Sequence, residues 1–138
     1  MMNNYKVYAI AFFLFLGIQQ SFAQNYKFRT SGFSVLEKNE RGKWGSWSDL
    51  KLVTISINLD TEKNRFVVYL PLVQLFEIAA YEPTEENESD IVYSFVCKDT
   101  NGEDCVVAII TRKKQDNRKQ LYITYKDKII VYNIVNAQ

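Results

Sequence analysis

Few side chains in this sequence are equipped for covalent or metal chemistry, and their spacing limits what they could do. Among 138 residues there is no histidine, and there are two cysteines, Cys97 and Cys105. A serine, threonine or cysteine nucleophile needs a base beside it, usually an imidazole, and that partner is missing. Two thiols alone do not complete a zinc site, and their spacing is wider than the Cys-x-x-Cys of redox enzymes. Glycoside hydrolysis requires only two carboxylates, and Glu77 is the one acid that falls inside a strand-like segment. Glu77 reads as an outward-facing strand residue without a flanking partner. Gly-rich phosphate loops and metal motifs are absent. The expectation is a protein that is not an enzyme and takes no cofactor and no metal.

Other residue groups point to binding. The segment EPTEENESD gathers Glu82, Glu85, Glu86, Glu88 and Asp90, and RKKQDNRK gathers Arg112, Lys113, Lys114, Arg118 and Lys119. The acidic run lacks the Gly-punctuated carboxylate spacing of a calcium loop, so mutual neutralisation of the two segments is the expected role. GKWGSWSD sets Trp44 and Trp47 three apart between glycines. Leu70-Pro71-Leu72 is apolar where a turn is normally polar. Together these two features form either an interaction patch or a lid over one end of the fold.

The elements that must position these groups are strands. Val53, Ile55, Ile57 and Leu59 alternate with polar residues, so one face is buried and one is wet. Seven more segments read the same way: Tyr26 to Leu36, Arg65 to Leu70, Gln74 to Tyr81, Ile91 to Lys98, Cys105 to Arg112, Lys119 to Tyr125 and Lys128 to Ile134. The last strand, with Ile129-Ile130-Val131-Tyr132, is too apolar to be an open edge. The expected fold is therefore all-β: an eight-stranded antiparallel meander closed as a small lipocalin-like barrel, with a two-sheet β-sandwich as the alternative. Counting along the meander puts the Asn39 to Asp49 loop and the turns at Pro71, Asp99 to Glu103 and Asp127 at one end. The turns at Thr61 to Asn64, Glu82 to Asp90 and Lys113 to Arg118 fall at the other. The inward set, including Ile57, Phe66, Val68, Phe76, Tyr93, Phe95, Val107, Ile109, Leu121 and Ile123, is bulky enough to fill such a barrel. Val92, Val96, Val106 and Ile110 give two strands a second apolar face, which leaves room for a second copy of the chain as a homodimer.

Turn chemistry fixes the register of the cysteines. With Thr100 and Asn101 in a type I turn and Gly102 left-handed, the hairpin closes on Asp99 and Glu103. Cys97 then lies directly opposite Cys105, at a Cα separation of about 4.5 to 5.5 Å that a disulfide can span. In an exported chain an even cysteine count implies pairing, and so short a loop contributes roughly 2.5 kcal/mol.

Export is itself expected. Lys6, an apolar run from Val7 to Ile18 and the small residues of Ser21-Phe22-Ala23 have the layout of a secretory signal cleaved after Ala23. The run is shorter than the roughly 20 residues of a membrane span, so no transmembrane span is expected after cleavage. The mature domain of about 115 residues can bury one core. Loss of Lys6 leaves 16 of the 17 basic side chains against 16 acidic ones, a neutral balance that gives no electrostatic footprint for nucleic acid. The ordered motifs WGSWSD, NRFVVY, CKDTNGEDC, RKQLYITY and IVYNIV resemble those of a group of small, signal-peptide-bearing, uncharacterised all-β proteins of Gram-negative bacteria. That resemblance implies export to the periplasm or beyond and an all-β fold, and it assigns no catalytic residue. The leading functional expectation is a non-catalytic binding module that recognises a protein or a cell-envelope component through Trp44, Trp47, Leu70, Pro71 and Leu72. The alternatives are a lipocalin-like carrier of a small apolar ligand and an inhibitor or immunity-type protein acting through the Glu82 to Asp90 segment.

Overall fold

The computed structural model describes residues 24–137, so the expected leader and its cleavage site lie outside the described residues. Ten strands follow one another: β1 (Asn25–Glu37), β2 (Lys51–Leu52), β3 (Ser56–Asp60), β4 (Arg65–Val68), β5 (Gln74–Tyr81), β6 (Glu85–Glu86), β7 (Asp90–Lys98), β8 (Asp104–Arg112), β9 (Arg118–Thr124) and β10 (Lys128–Asn136). Eight of them form an antiparallel ring in the order β1-β3-β4-β5-β7-β8-β9-β10. It closes where β10 pairs with β1, from Phe28 opposite Asn136 to Glu37 opposite Lys128. Closure removes the edge that the apolar β10 would otherwise expose. The barrel expected from the sequence is the one found, rather than the sandwich. The two-residue strands β2 and β6, which the alternation did not reveal, lie outside the ring on β1 and β7.

Two strand limits differ from expectation, each for a local reason. The strand expected to begin at Val53 begins at Ser56, because Thr30 of β1 takes over the pairing. Its amide donates to the Ile55 carbonyl at 2.9 Å. Its buried hydroxyl donates to the Val53 carbonyl at 2.7 Å and accepts from the Ile55 amide at 2.9 Å. The strand expected to reach Leu70 stops at Val68, where the Leu70 amide turns back onto the Val68 carbonyl at 3.0 Å, a γ-turn contact.

The middle of the barrel is filled. Ile57, Phe66, Val68, Cys97, Val107 and Leu121 are the most completely buried large side chains, and they come from β3, β4, β7, β8 and β9. Two bulges set what lies above and below them. In β5 the register shifts between Ile78 and Ala80, so Ile78 faces Cys97 while Tyr81 faces Phe95. An extra residue reverses the alternation beyond it, and this turns Tyr81 rather than Ala80 toward the interior. In β1 the shift between Thr30 and Gly32 does the same, bringing Phe33 opposite Tyr132. Their rings then meet at 5.8 Å.

The hairpin from β7 to β8 has the expected register, with Cys97 opposite Cys105. Gly102 is left-handed at φ 80°, where a side chain would be strained. Asp99 holds the turn, its Oδ1 accepting from the Asn101 and Glu103 amides at 2.9 Å each. The cysteines, expected as a disulfide, are buried free thiols in this structure.

Candidate functional site

The top inward layer of the barrel is built differently from the filled layers beneath it. Alternation carried upward from Ile109, Leu121 and Leu59 reaches Thr111, Lys119 and Thr61, which are short or flexible and do not close the space. The result is a cup of about 450 Å³ at the end formed by the β3–β4, β5–β7 and β8–β9 connections. Every ring strand except β4 contributes to its lining. Tyr26 and Phe28 come from β1, Leu59 from β3, Tyr81 from β5, Tyr93 and Phe95 from β7, Ile109 and Thr111 from β8, Lys119 from β9 and Asn136 from β10, with Thr61 following β3. A concavity of this size, mainly apolar with a few convergent polar groups, is the usual form of a small-molecule site.

The aromatic wall is held in place from below and from the side. Phe95 meets Phe66 edge-on at 5.1 Å and Tyr81 edge-on at 5.5 Å, an arrangement that aromatic quadrupoles favour. The Tyr81 hydroxyl donates to Asn64 Oδ1 at 2.6 Å. Asn64 ends the β3–β4 turn with left-handed backbone, and its carbonyl accepts from the Ile78 amide at 2.8 Å, beside the β5 bulge. One turn residue thus anchors both the bulge and the ring that the bulge turns inward. Desolvation, together with the negative ends of Cys97 and Asp60, pushes the Tyr81 hydroxyl above the usual phenol range, so it remains a donor at neutral pH. Tyr26, Tyr81 and Tyr93 are each between two fifths and one half exposed and form the rim.

The polar side of the cup consists of Lys119, Thr111, Thr61 and Asn136. Lys119 Nζ donates to Thr111 Oγ1 at 3.1 Å. Thr111 is buried, and no carboxylate lines the cup. Around the rim the acidic and basic connections neutralise each other as expected: Arg112 pairs with Asp90 at 3.2 Å and Lys113 with Glu86 at 2.5 Å. Lys119 takes part in no ion pair found among the described residues.

At the opposite end a smaller cavity of about 200 Å³ is lined by Leu70, Phe76, Asp99, Tyr125, Lys128 and their neighbours. The Tyr125 hydroxyl donates to Asp99 Oδ2 at 2.8 Å. Burial, the bond to Asp99 and the nearby acids push that phenol far up. Burial opposes ionisation of Asp99, but the Glu103 amide, the Tyr125 hydroxyl and the Asn101 amide outweigh it and hold the carboxyl below its usual range. The Tyr125–Asp99 bond stitches the hairpin to the barrel wall at the border of this cavity.

None of Trp44, Trp47, Leu70, Pro71 and Leu72, the residues expected to bind from sequence, lines the cup. Trp44 bridges to Lys38 beside the end of β1, where Lys38 Nζ stands 4.9 Å from the Trp44 ring centroid. The following segment is laced along β1, with the Ser48 amide donating to the Val35 carbonyl at 2.8 Å. Trp44 and Trp47 are almost half exposed, and neither lines either cavity. Leu70 packs against the core, while Pro71 and Leu72 are exposed. Glu77 is exposed between Arg65 and Lys98, pointing away from both cavities.

Comparison with family models, curated proteins and solved structures finds no match for this chain. The cup itself was only partly visible in the sequence. Tyr93, Phe95 and Ile109 belong to the expected inward set, and simple alternation places Thr111 and Lys119 inward. Tyr81 is placed by a bulge that no local sequence signal marks.

Proposed function

We propose that this is an exported, non-catalytic binding protein that carries a small, largely apolar ligand in the cup at the Tyr26, Tyr81 and Tyr93 end of its barrel. The observation that carries this reading is the cup: about 450 Å³, open at one end, walled by five aromatic rings and based on a filled core. Burial of an apolar body there gains about 25 cal/mol per Å² removed from water, and the rigid ring of strands is organised before the ligand arrives. The leader expected at residues 1–23 would deliver the protein to the periplasm or the exterior. There the opposed Cys97 and Cys105 would be oxidised to a disulfide, since a hydrogen-bonded cross-strand pair lies at about 5.5 Å between Cα atoms, within bridging range.

A second reading is favoured by one observation. Trp44, Trp47, Leu50, Leu52 and Leu72 are all exposed, and exposed apolar side chains that gather in a patch mark protein contacts. A partner protein or envelope component would then dock on these residues. The inhibitor reading has less support, because Glu86 and Asp90 of its acidic segment are already engaged by Lys113 and Arg112.

Native mass spectrometry of the chain recovered from cells separates the readings. The carrier reading expects an adduct of a few hundred daltons that is lost when Thr111→Trp fills the cup. A co-purifying chain that survives Thr111→Trp and is lost on joint replacement of Trp44 and Trp47 by alanine would contradict it and support the second reading.

A further inference from the structure

The cup holds a charge that its surroundings leave uncompensated. Lys119 stands at an inward position, opposite Thr111 on one side and Ile134 on the other, both buried. None of its companions in the lining is acidic, and it joins no ion pair among the described residues. Among the described residues its ammonium makes one hydrogen bond, donated to the Thr111 hydroxyl at 3.1 Å. That hydroxyl accepts from Lys119, and among the described residues it donates to nothing, so its proton is free to point into the cup. Thr111 is only 5% exposed, which places an available donor on a nearly dry wall.

From this arrangement we propose that the ligand class is an apolar monocarboxylate, its hydrocarbon or aromatic body against Phe28, Phe95 and Ile109 and its carboxylate between Lys119 and Thr111. The inference rests on the cup being a ligand site. Filling the cup with a neutral body would strip water from the ammonium without replacing it, and an unpaired charge is costly to desolvate. A carboxylate head repays that cost with a charge-assisted hydrogen bond from Lys119 and a second from the threonine hydroxyl. A cationic head would meet Lys119 with no acid to balance it. The rim of Tyr26, Tyr81 and Tyr93 adds hydroxyl groups and no carboxylate.

The experiment is calorimetric titration of the folded protein at neutral pH with decanoate and 2-naphthoate, each against its primary amide, decanamide and 2-naphthamide. The expected result is carboxylate affinity about tenfold or more above that of the matched amide. Lys119→Met should remove that preference by lowering carboxylate affinity about tenfold more than amide affinity, and the amide binding that remains reports an intact cup. Lys119→Arg should restore most of the preference, and Thr111→Val should lower carboxylate affinity a few-fold. Equal binding of acid and amide, or a preference that survives Lys119→Met, overturns the head-group assignment while the cup remains a ligand site. If none of the four probes binds, the ligand-site reading fails and this inference fails with it.

Discussion

At the scale of single residues, the cysteine pair connects turn chemistry to the compartment in which the protein would work. Desolvation pushes the Cys97 thiol up to about 11 and, joined by the charges of Cys97, Asp99, Asp104 and Glu103, pushes Cys105 up to about 12. In the reduced protein both are therefore neutral and poor nucleophiles at pH 7. Folding favours the protonated thiols, so this contribution to stability is complete below the unfolded thiol value of about 8.5. It is lost as pH rises toward 11. Reduced protein should show a urea midpoint that falls between pH 8.5 and 11 more steeply than that of oxidised protein. Protein isolated from the envelope should be 2 Da lighter than its reduced form, consistent with one disulfide; an unchanged mass would show that the thiols persist. The register behind this was legible because Asp99, Thr100, Asn101 and Gly102 can build only a few turns, and just one of these places the sulfurs opposite each other. The bonding state was not legible in the same way, since it depends on where the chain folds.

At the scale of elements, the barrel depends on a few places where pairing is interrupted. Thr30 holds the gap between β2 and β3, its side chain substituting for a strand neighbour. Thr30→Val keeps the shape but leaves the Val53 carbonyl and the Ile55 amide without their partner. The expected cost is about 1–3 kcal/mol in urea unfolding, and a change within 0.5 kcal/mol would show that water takes the place of the hydroxyl. Strand existence was legible because one face of each strand is greasy and the other wet. The limits of β3 and β4 were not, since Val53 and Leu70 keep the apolar pattern after the ladder has ended. The bulges in β1 and β5 were hidden for a related reason: an extra residue is defined by the partner strand, and Ala79 and Ala80 carry no side chain large enough to reveal which way they face.

At the scale of the whole molecule, the filled layer and the proposed binding layer belong to different levels of one ring. Ile57, fully buried at the centre, makes the clearest test of the filled layer, and Ile57→Ala should cost about 2–5 kcal/mol without altering the residues that line the cup. A much smaller loss would mean that the centre collapses easily or is not packed as described. Closure was legible from the apolar Ile129 to Tyr132 segment, which could not have been left as an edge. The cup was not legible as a unit, because its walls come from seven strands and its emptiness from the small size of Thr61 and Thr111 relative to the rings around them. Tryptophan is conspicuous in the sequence, but neither Trp44 nor Trp47 lines either of the two cavities described above. The proposed binding place is the aromatic cup. Its most direct test is two-dimensional amide and side-chain NMR of labelled protein titrated with 2-naphthoate. Binding in the cup predicts saturable shifts clustered at Tyr26, Tyr81, Tyr93, Thr111 and Lys119, with Trp44 and Trp47 unmoved. Shifts confined to the tryptophan segment, or none at the cup under saturating probe, would contradict it.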